Sequence, residues 1–161
     1  MTLQSIFILL AGVLLAGILG SYSDGAADTT IGIEEEDADM KSAIVKARAS
    51  LPRFWQSFEH RKPGEADFSL KVKITDKHGT EHFWVSNLER KDGKIMGTID
   101  NAPNVVRRVK MGDRIEIPEE DISDWTYLRD EKLIGNYTLR ALFKHMSAKE
   151  VARYKAMLAE P

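Results

Sequence analysis

Apolar side chains recur at three- and four-residue steps through Met40, Ala43, Ile44, Ala47, Leu51, Phe54 and Phe58, the spacing of one buried stripe along a helix. Asp37 or Asp39 is placed to cap its start. Pro52 lacks a backbone N–H, so the helix is expected to break or kink near Ser50 and to restart with Pro52 in its first turn. Trp55 falls just off the stripe and is expected to cover an edge. After the breaker Lys62-Pro63-Gly64 the period changes from helical to two. Phe68, Leu70, Val72 and Ile74 alternate with Ser69, Lys71, Lys73 and Thr75, which predicts a half-buried strand. A turn at Asp76-Lys77-His78-Gly79 returns the chain as a hairpin partner from Thr80 to Leu88. On that strand Phe83 and Val85 share a face with Glu81, while His82, Trp84 and Ser86 share the other.

Asp92-Gly93 marks a second hairpin tip, leading to a third strand from Ile95 to Ile99. Met111-Gly112-Asp113 turns into a short strand with Ile115 and Ile117 inward, stopped by Pro118. Trp125 to Leu128 and Lys132 to Gly135 make a last hairpin around Arg129-Asp130-Glu131. Thr138 to Met146 then reads as a helix with Leu139, Leu142 and Phe143 on one side. Ser147 and Glu150 form a capping box, opening a final helix with Val151, Tyr154 and Leu158 on one face. The pattern is α+β: a mostly antiparallel sheet of about five to six strands, flanked by N-terminal and C-terminal helices.

The first 37 residues behave differently. Ile6 to Gly20 is fifteen residues without a polar side chain, which predicts a signal peptide or membrane anchor over residues 1–23. Residues 24–37 are small, acidic and aperiodic, the composition of a flexible linker. A single globular domain is expected over 38–161. Seven of the 25 acids and none of the 23 Lys and Arg lie within residues 1–40, leaving 23 basic against 18 acidic side chains beyond them. That mild excess does not point to nucleic acid. The absence of cysteine excludes disulfides, thiolate metal sites and a cysteine nucleophile. Lys41, Lys46 and Arg48 follow the apolar run and favour a cytoplasmic C-terminal side, whereas a cleaved leader would export the domain. Cell-envelope placement, anchored or periplasmic, is the primary expectation, and an anchor with a cytoplasmic domain is the alternative.

Ala47-Arg48 before Leu51-Pro52-x-Phe54, Phe68-x-x-Lys71, Glu81-His82-x-Trp84, Gly97-x-x-x-Asn101-x-Pro103, Gly112-Asp113, Ile122-Ser123-Asp124-Trp125 and Gly135-x-Tyr137-Thr138-Leu139-Arg140 occur in one order. In that order they resemble the bacterial family called domain of unknown function 2314, which includes the YegJ-like proteins. The resemblance covers roughly Asp39 to Leu158. It implies a small bacterial domain, exported in some members and fused to other modules in others, and brings no established activity, cofactor or catalytic residue. A related domain type is associated with toxin-immunity loci, which adds an immunity role to what the resemblance implies. Thr126 and Asn136 stand where the family more often has Met and Gly, so the turn before Tyr137 is expected to differ.

Candidate chemistry is sparse. Glu81 and His82 point to opposite faces of a strand and cannot form a simple acid–base pair. His82 and Trp84 share a face, either as the floor of a groove or as packing within the sheet and under a helix. The four histidines have no HExxH spacing, and no metal site is expected. Among Glu119, Glu120, Asp121 and Asp124, only Asp124 beside Trp125 has the apolar neighbour that raises a carboxyl pKa for acid–base work. Arg140 invites a partner: either Asp124, as a structural pair pinning the last hairpin to the helix, or an anion in a cleft. No GxSxG elbow, P-loop or GxGxxG is present.

These features point first to a non-catalytic binding module, exported or membrane-tethered, that meets a protein or envelope component through Trp84, Trp125, Tyr137 and Arg140. No cofactor is expected, and membrane contact is assigned to the N-terminal segment only. The rival is a small-molecule hydrolase with Asp124 as acid or base, His82 assisting and Arg140 holding an anion. It requires one concave pocket that brings those three together.

Overall fold

The computed structural model describes residues 5–8, 31–34 and 37–159. Apart from two short strands, β1 (Ser5–Ile8) and β2 (Ile31–Glu34), the expected leader and linker lie outside the described residues. No helix among the described residues is long and apolar enough to cross a membrane.

From Asp37 the chain follows its hydrophobic pattern. Asp37 accepts the N–H groups of Asp39 and Met40 and caps α1 (Ala38–Ala49). The expected break falls at Ser50, and α2 (Leu51–Glu59) restarts with Pro52 in its first turn. Six strands then form the antiparallel sheet: β3 (Glu65–Asp76), β4 (Gly79–Lys91), β5 (Lys94–Ile99), β6 (Arg114–Glu116), β7 (Ile122–Arg129) and β8 (Lys132–Gly135). Their spatial order is β6-β5-β4-β3-β7-β8, with β1 alongside the first half of β4 and paired in turn with β2. The helix expected after β8 is shorter than its sequence pattern. It runs as α3 (Tyr137–Leu142) and tightens to a 3₁₀ turn over Phe143–His145. The capping box of Ser147 and Glu150 opens α4 (Ala148–Met157).

The tight turns follow backbone chemistry. Arg129 pairs with Lys132, so Asp130 and Glu131 form a two-residue loop, and both have positive φ. Such a loop matches the twist of the flanking strands. Asn136 occupies the left-handed region at the junction of β8 and α3, a conformation that asparagine tolerates better than most residues.

Strand register separates the sheet into two chemically distinct faces. Leu70 lies opposite both Val85 and Trp125, and Val72 opposite Phe83 and Ile122. This apolar face packs with Leu51, Phe54 and Trp55 of α2 into the main core. Phe54 has no exposed surface and lies 5.6 Å from Trp125 and 5.7 Å from Phe68, ring centre to ring centre. Phe68 stacks on Tyr127 at 4.6 Å. Offset and edge contacts of this kind add to the burial of each ring. One carboxylate also sits on the apolar face. Glu81 is buried and accepts the N–H groups of Asn104, Val105 and Val106, each at 2.8 Å, which holds the long loop after β5 against the sheet.

Gly135 is where β8 must turn into α3. Its φ is +85°, and a Cβ there would lie 2.3 Å from the Trp125 carbonyl oxygen and 2.6 Å from its ring. Gly135→Ala therefore combines left-handed strain with overpacking. The substitution is expected to cost about 2–4 kcal/mol in urea unfolding; a midpoint equal to that of the parent protein would refute this account of the turn.

Candidate functional site

The second face of the sheet carries a row of three paired residues across β4, β3 and β7: Trp84 opposite Lys71, and Lys71 opposite Asp124. Lys71 is buried, and Asp124 has no exposed surface. The first turn of α3 meets them there. Asp124 accepts the Thr138 N–H and hydroxyl, both at 2.7 Å, the Tyr137 N–H at 3.2 Å, and the Trp125 N–H at 2.8 Å. The Thr138 hydroxyl accepts in turn from Lys71 Nζ at 3.2 Å, giving a relay from Lys71 through Thr138 to Asp124. The ammonium also lies 5.4 Å from the centre of the half-buried Trp84 ring, within cation–π range. Burial pulls the Lys71 pKa down to about 8 against the opposing pull of Asp124. Burial pushes Asp124 upward, opposed by Lys71 and by its hydrogen bonds to Thr138 and Trp125. These groups stabilise one another within the fold.

His82 is the neighbouring polar group on this face. Its Nδ1 lies 2.7 Å from Ser123 Oγ, and Ser123 Oγ donates its proton to the Lys71 carbonyl at 3.1 Å. The hydroxyl has one hydrogen, so the ring must carry its proton on Nδ1 and donate to the serine. That polarity is the reverse of nucleophile activation, in which the serine donates to the imidazole. Burial, reinforced by Lys71 and Lys73, holds the His82 pKa down at about 3. His82 and Ser123 line a cleft of about 360 Å³ with Met40, Ile44 and Lys73.

The sequence-derived site residues do not assemble as expected. Trp125 is wholly buried, not a surface contact; its indole N–H donates to the Ala47 carbonyl and to Ser50 Oγ, both at 3.0 Å. The Ala47 carbonyl also accepts from the Ser50 N–H and hydroxyl, so the indole joins a small network at the break between α1 and α2. Tyr137 is half-buried with its ring edge on Trp125 at 5.7 Å. The structural pair of Asp124 and Arg140 does not form. Arg140 donates instead to the carbonyls of Gly135 and Ala159, fastening the chain end beside β8, where Ala159 N–H also bonds the Leu133 carbonyl. The cation that serves Asp124 is Lys71. The hydrolase grouping fails on the same geometry, because Asp124 lies sealed under α3 and neither it nor Arg140 lines the His82 cleft.

Two features escaped the sequence. Lys71 and Thr138 sit in the quoted motifs, yet a lysine in an alternating strand reads as solvent-facing until α3 is docked over it. Trp55 is the other. It is 5% exposed, and its indole N–H has no hydrogen-bond partner among the described residues. It lines a groove of about 520 Å³ with Arg48, Pro52, Gln56, Arg90 and Glu119. The Arg90 guanidinium lies 4.8 Å from the Trp55 ring centre and pairs with Glu59 at 3.1 Å. Among the described residues no group of three or more His, Cys, Asp or Glu could hold a metal ion.

The buried imidazole predicts an acid limb in stability. An unfolded His82 takes up its proton near pH 6.5, whereas the folded one resists until about 3. The unfolded chain therefore binds more protons across that window, and stability falls as pH drops from about 6.5 towards 3, by at most about 1.4 kcal/mol per pH unit. In His82→Gln this contribution is expected to vanish, seen as a shallower acid limb in urea unfolding against pH. Parallel limbs for the two proteins would show that His82 is not buried as a neutral ring.

Comparison with known proteins agrees with the sequence resemblance. Residues 37–159 match the family described as uncharacterized protein conserved in bacteria, DUF2314. The chain is 34% identical over 133 residues to the uncharacterized protein YegJ of Escherichia coli strain K12, covering 82% of this chain and 85% of that one. It is also 27% identical over 133 residues to a putative ankyrin repeat protein of Neisseria meningitidis serogroup B, covering 77% of this chain and 52% of that protein. No solved structure matches. The match spans every element that carries the buried polar row and the Trp55 groove, and the chain belongs to the bacterial DUF2314 family.

Proposed function

We propose that this domain is a non-catalytic binding module of the cell envelope, exported or tethered through its apolar N-terminal run, and that it holds a protein partner in the groove at the junction of α1 and α2. The observation that carries this reading is the groove of about 520 Å³ walled by Trp55, with the Arg90 guanidinium 4.8 Å from the centre of its ring. The buried Trp55 indole N–H has no acceptor among the described residues, a costly state that a turn of the ring into the groove would relieve by presenting the donor to a partner's carbonyl or carboxylate oxygen. Arg48 and Arg90 flank the groove together with Glu59 and Glu119, and Arg90 is paired with Glu59, so an uncharged segment that offers backbone carbonyls suits it best. Tryptophan and arginine are the residue types that concentrate binding energy at interfaces. The internal use of Asp124, His82, Ser123 and Lys71 favours binding over catalysis. An immunity role would be one form of this function, with a toxin as the partner.

Trp55→Phe separates recognition from packing, because it removes the N–H and keeps an aromatic ring. With a photo-crosslinking side chain at the exposed position of Gln56 and the protein in its own membranes, one principal adduct is expected. Trp55→Phe should reduce its yield about tenfold, the equivalent of one lost hydrogen bond to a desolvated donor, while the thermal midpoint stays close to that of the parent. An adduct whose yield is indifferent to both Trp55→Phe and Arg90→Ala would remove the groove from the function.

A further inference from the structure

A second surface, separate from the Trp55 groove, lies where the turn between β3 and β4 meets the loop after β5. Two backbone devices bring these segments together. Asp76 accepts the His78 N–H at 2.7 Å through one oxygen, and the Arg107 and Arg108 N–H groups at 2.7 and 3.1 Å through the other. Glu81 holds the preceding three residues of the loop. Further along, Asp113 accepts the Lys110 N–H at 3.0 Å. The acids of this region are thus turned inward onto backbone donors. Lys77, Arg107, Arg108 and Lys110 are exposed and form no ion pair among the described residues. Against these four cations stand two local carboxylates, Asp76 and Asp113, leaving the outer surface positive. Met111, 62% exposed, follows Lys110 directly.

Exposed cations beside an exposed flexible apolar side chain fit the headgroup boundary of an anionic bilayer. Phosphates attract the cations, and a thioether can enter the acyl region at little conformational cost. We propose that Lys77, Arg107, Arg108, Lys110 and Met111 form a docking surface for anionic phospholipid, a membrane contact additional to the apolar N-terminal run. A chain already held at a membrane by the apolar run meets the bilayer with this surface at high effective concentration. A positive stripe also invites nucleic acid, but the surface lacks the aromatic side chains on which bases stack, and its apolar member is a methionine.

The chain contains no cysteine, so Met111→Cys gives a unique site for a nitroxide. With the full chain reconstituted in vesicles, collision with apolar oxygen and a water-soluble relaxant reports whether the label enters the interface. The label is expected to be immersed in phosphatidylglycerol-containing vesicles and in solvent in pure phosphatidylcholine. The ratio of docked to undocked domain should fall about 30-fold in the Arg107→Ala/Arg108→Ala double variant, since each basic side chain near an anionic surface contributes about a fivefold factor. About 0.5 M salt should have a similar effect. Lys77→Ala/Lys110→Ala provides an independent variant if the first pair unfolds, and hydrogen exchange of residues 104–113 in unlabelled protein provides a second readout. Equal immersion in neutral vesicles would overturn the proposal, because the apolar run alone would then account for it. Absence of immersion in anionic vesicles would also overturn it, whether the stripe stays bare or the acidic residues 24–37 cover it. Shielding by a nucleic-acid duplex and not by vesicles would transfer the surface to a different partner. None of these outcomes bears on the Trp55 groove, which the crosslinking experiment tests separately.

Discussion

Two consecutive residues on β7 hold the helices to the sheet. Trp125 faces the apolar side, where its ring enters the aromatic core and its N–H closes the helix break at Ala47 and Ser50. Asp124 faces the other side and gathers two backbone N–H groups and a hydroxyl from the first turn of α3. Strand alternation makes this possible, since neighbouring side chains must project to opposite faces. The sheet is therefore clamped at one point from both directions. The positions of α1, α2 and α3, and of the grooves between them, follow from that point.

The clamp has a charge at its centre, and this sets a condition on its neighbours. A buried carboxylate is tolerated when its oxygens are fully bonded and a cation is close, while stripping one partner from such a group costs about 3–5 kcal/mol. Lys71, Thr138 and the α3 backbone supply what Asp124 needs. Thr126 and Asn136 illustrate the same rule on a smaller scale. Both are buried, and they answer each other, with Asn136 Nδ2 donating to Thr126 Oγ1. A hydroxyl buried without its amide partner would lose that hydrogen bond, so each of the two supports the burial of the other.

The same accounting separates groups spent on the fold from groups left for contact. Asp124, Glu81, Ser123 and the donor nitrogen of His82 all have internal partners. Trp55 has a buried donor with none, and the stripe from Lys77 to Met111 has cations without counterions among the described residues. The two surfaces differ in chemistry, one a groove walled by an indole ring and the other a stripe of exposed cations. They accordingly suit different partners: a shaped protein segment and a diffuse anionic surface.

Periodicity alone determined most of the architecture. The stripe from Met40 to Phe58, the break at Ser50, the hairpins at Asp92-Gly93 and Asp130-Glu131, and the capping box at Ser147 are local events. They are decided by missing N–H groups, positive φ and side-chain spacing, so they were legible along the chain, as was the family. The partners of charged and aromatic residues were not. Arg140 was expected beside Asp124 because an arginine at a helix start needs a partner and Asp124 is the acid with an apolar neighbour. The ladder instead sets Lys71 opposite Asp124 across more than fifty residues, and the chain end returns to claim Arg140. Trp125 was expected at a binding surface because aromatic residues concentrate binding energy, but burial depends on what packs above, and α2 arrives from the other end of the domain. Which polar atoms meet, and which are left over as Trp55 is, depends on contacts distant in sequence, and only the tertiary structure decided them.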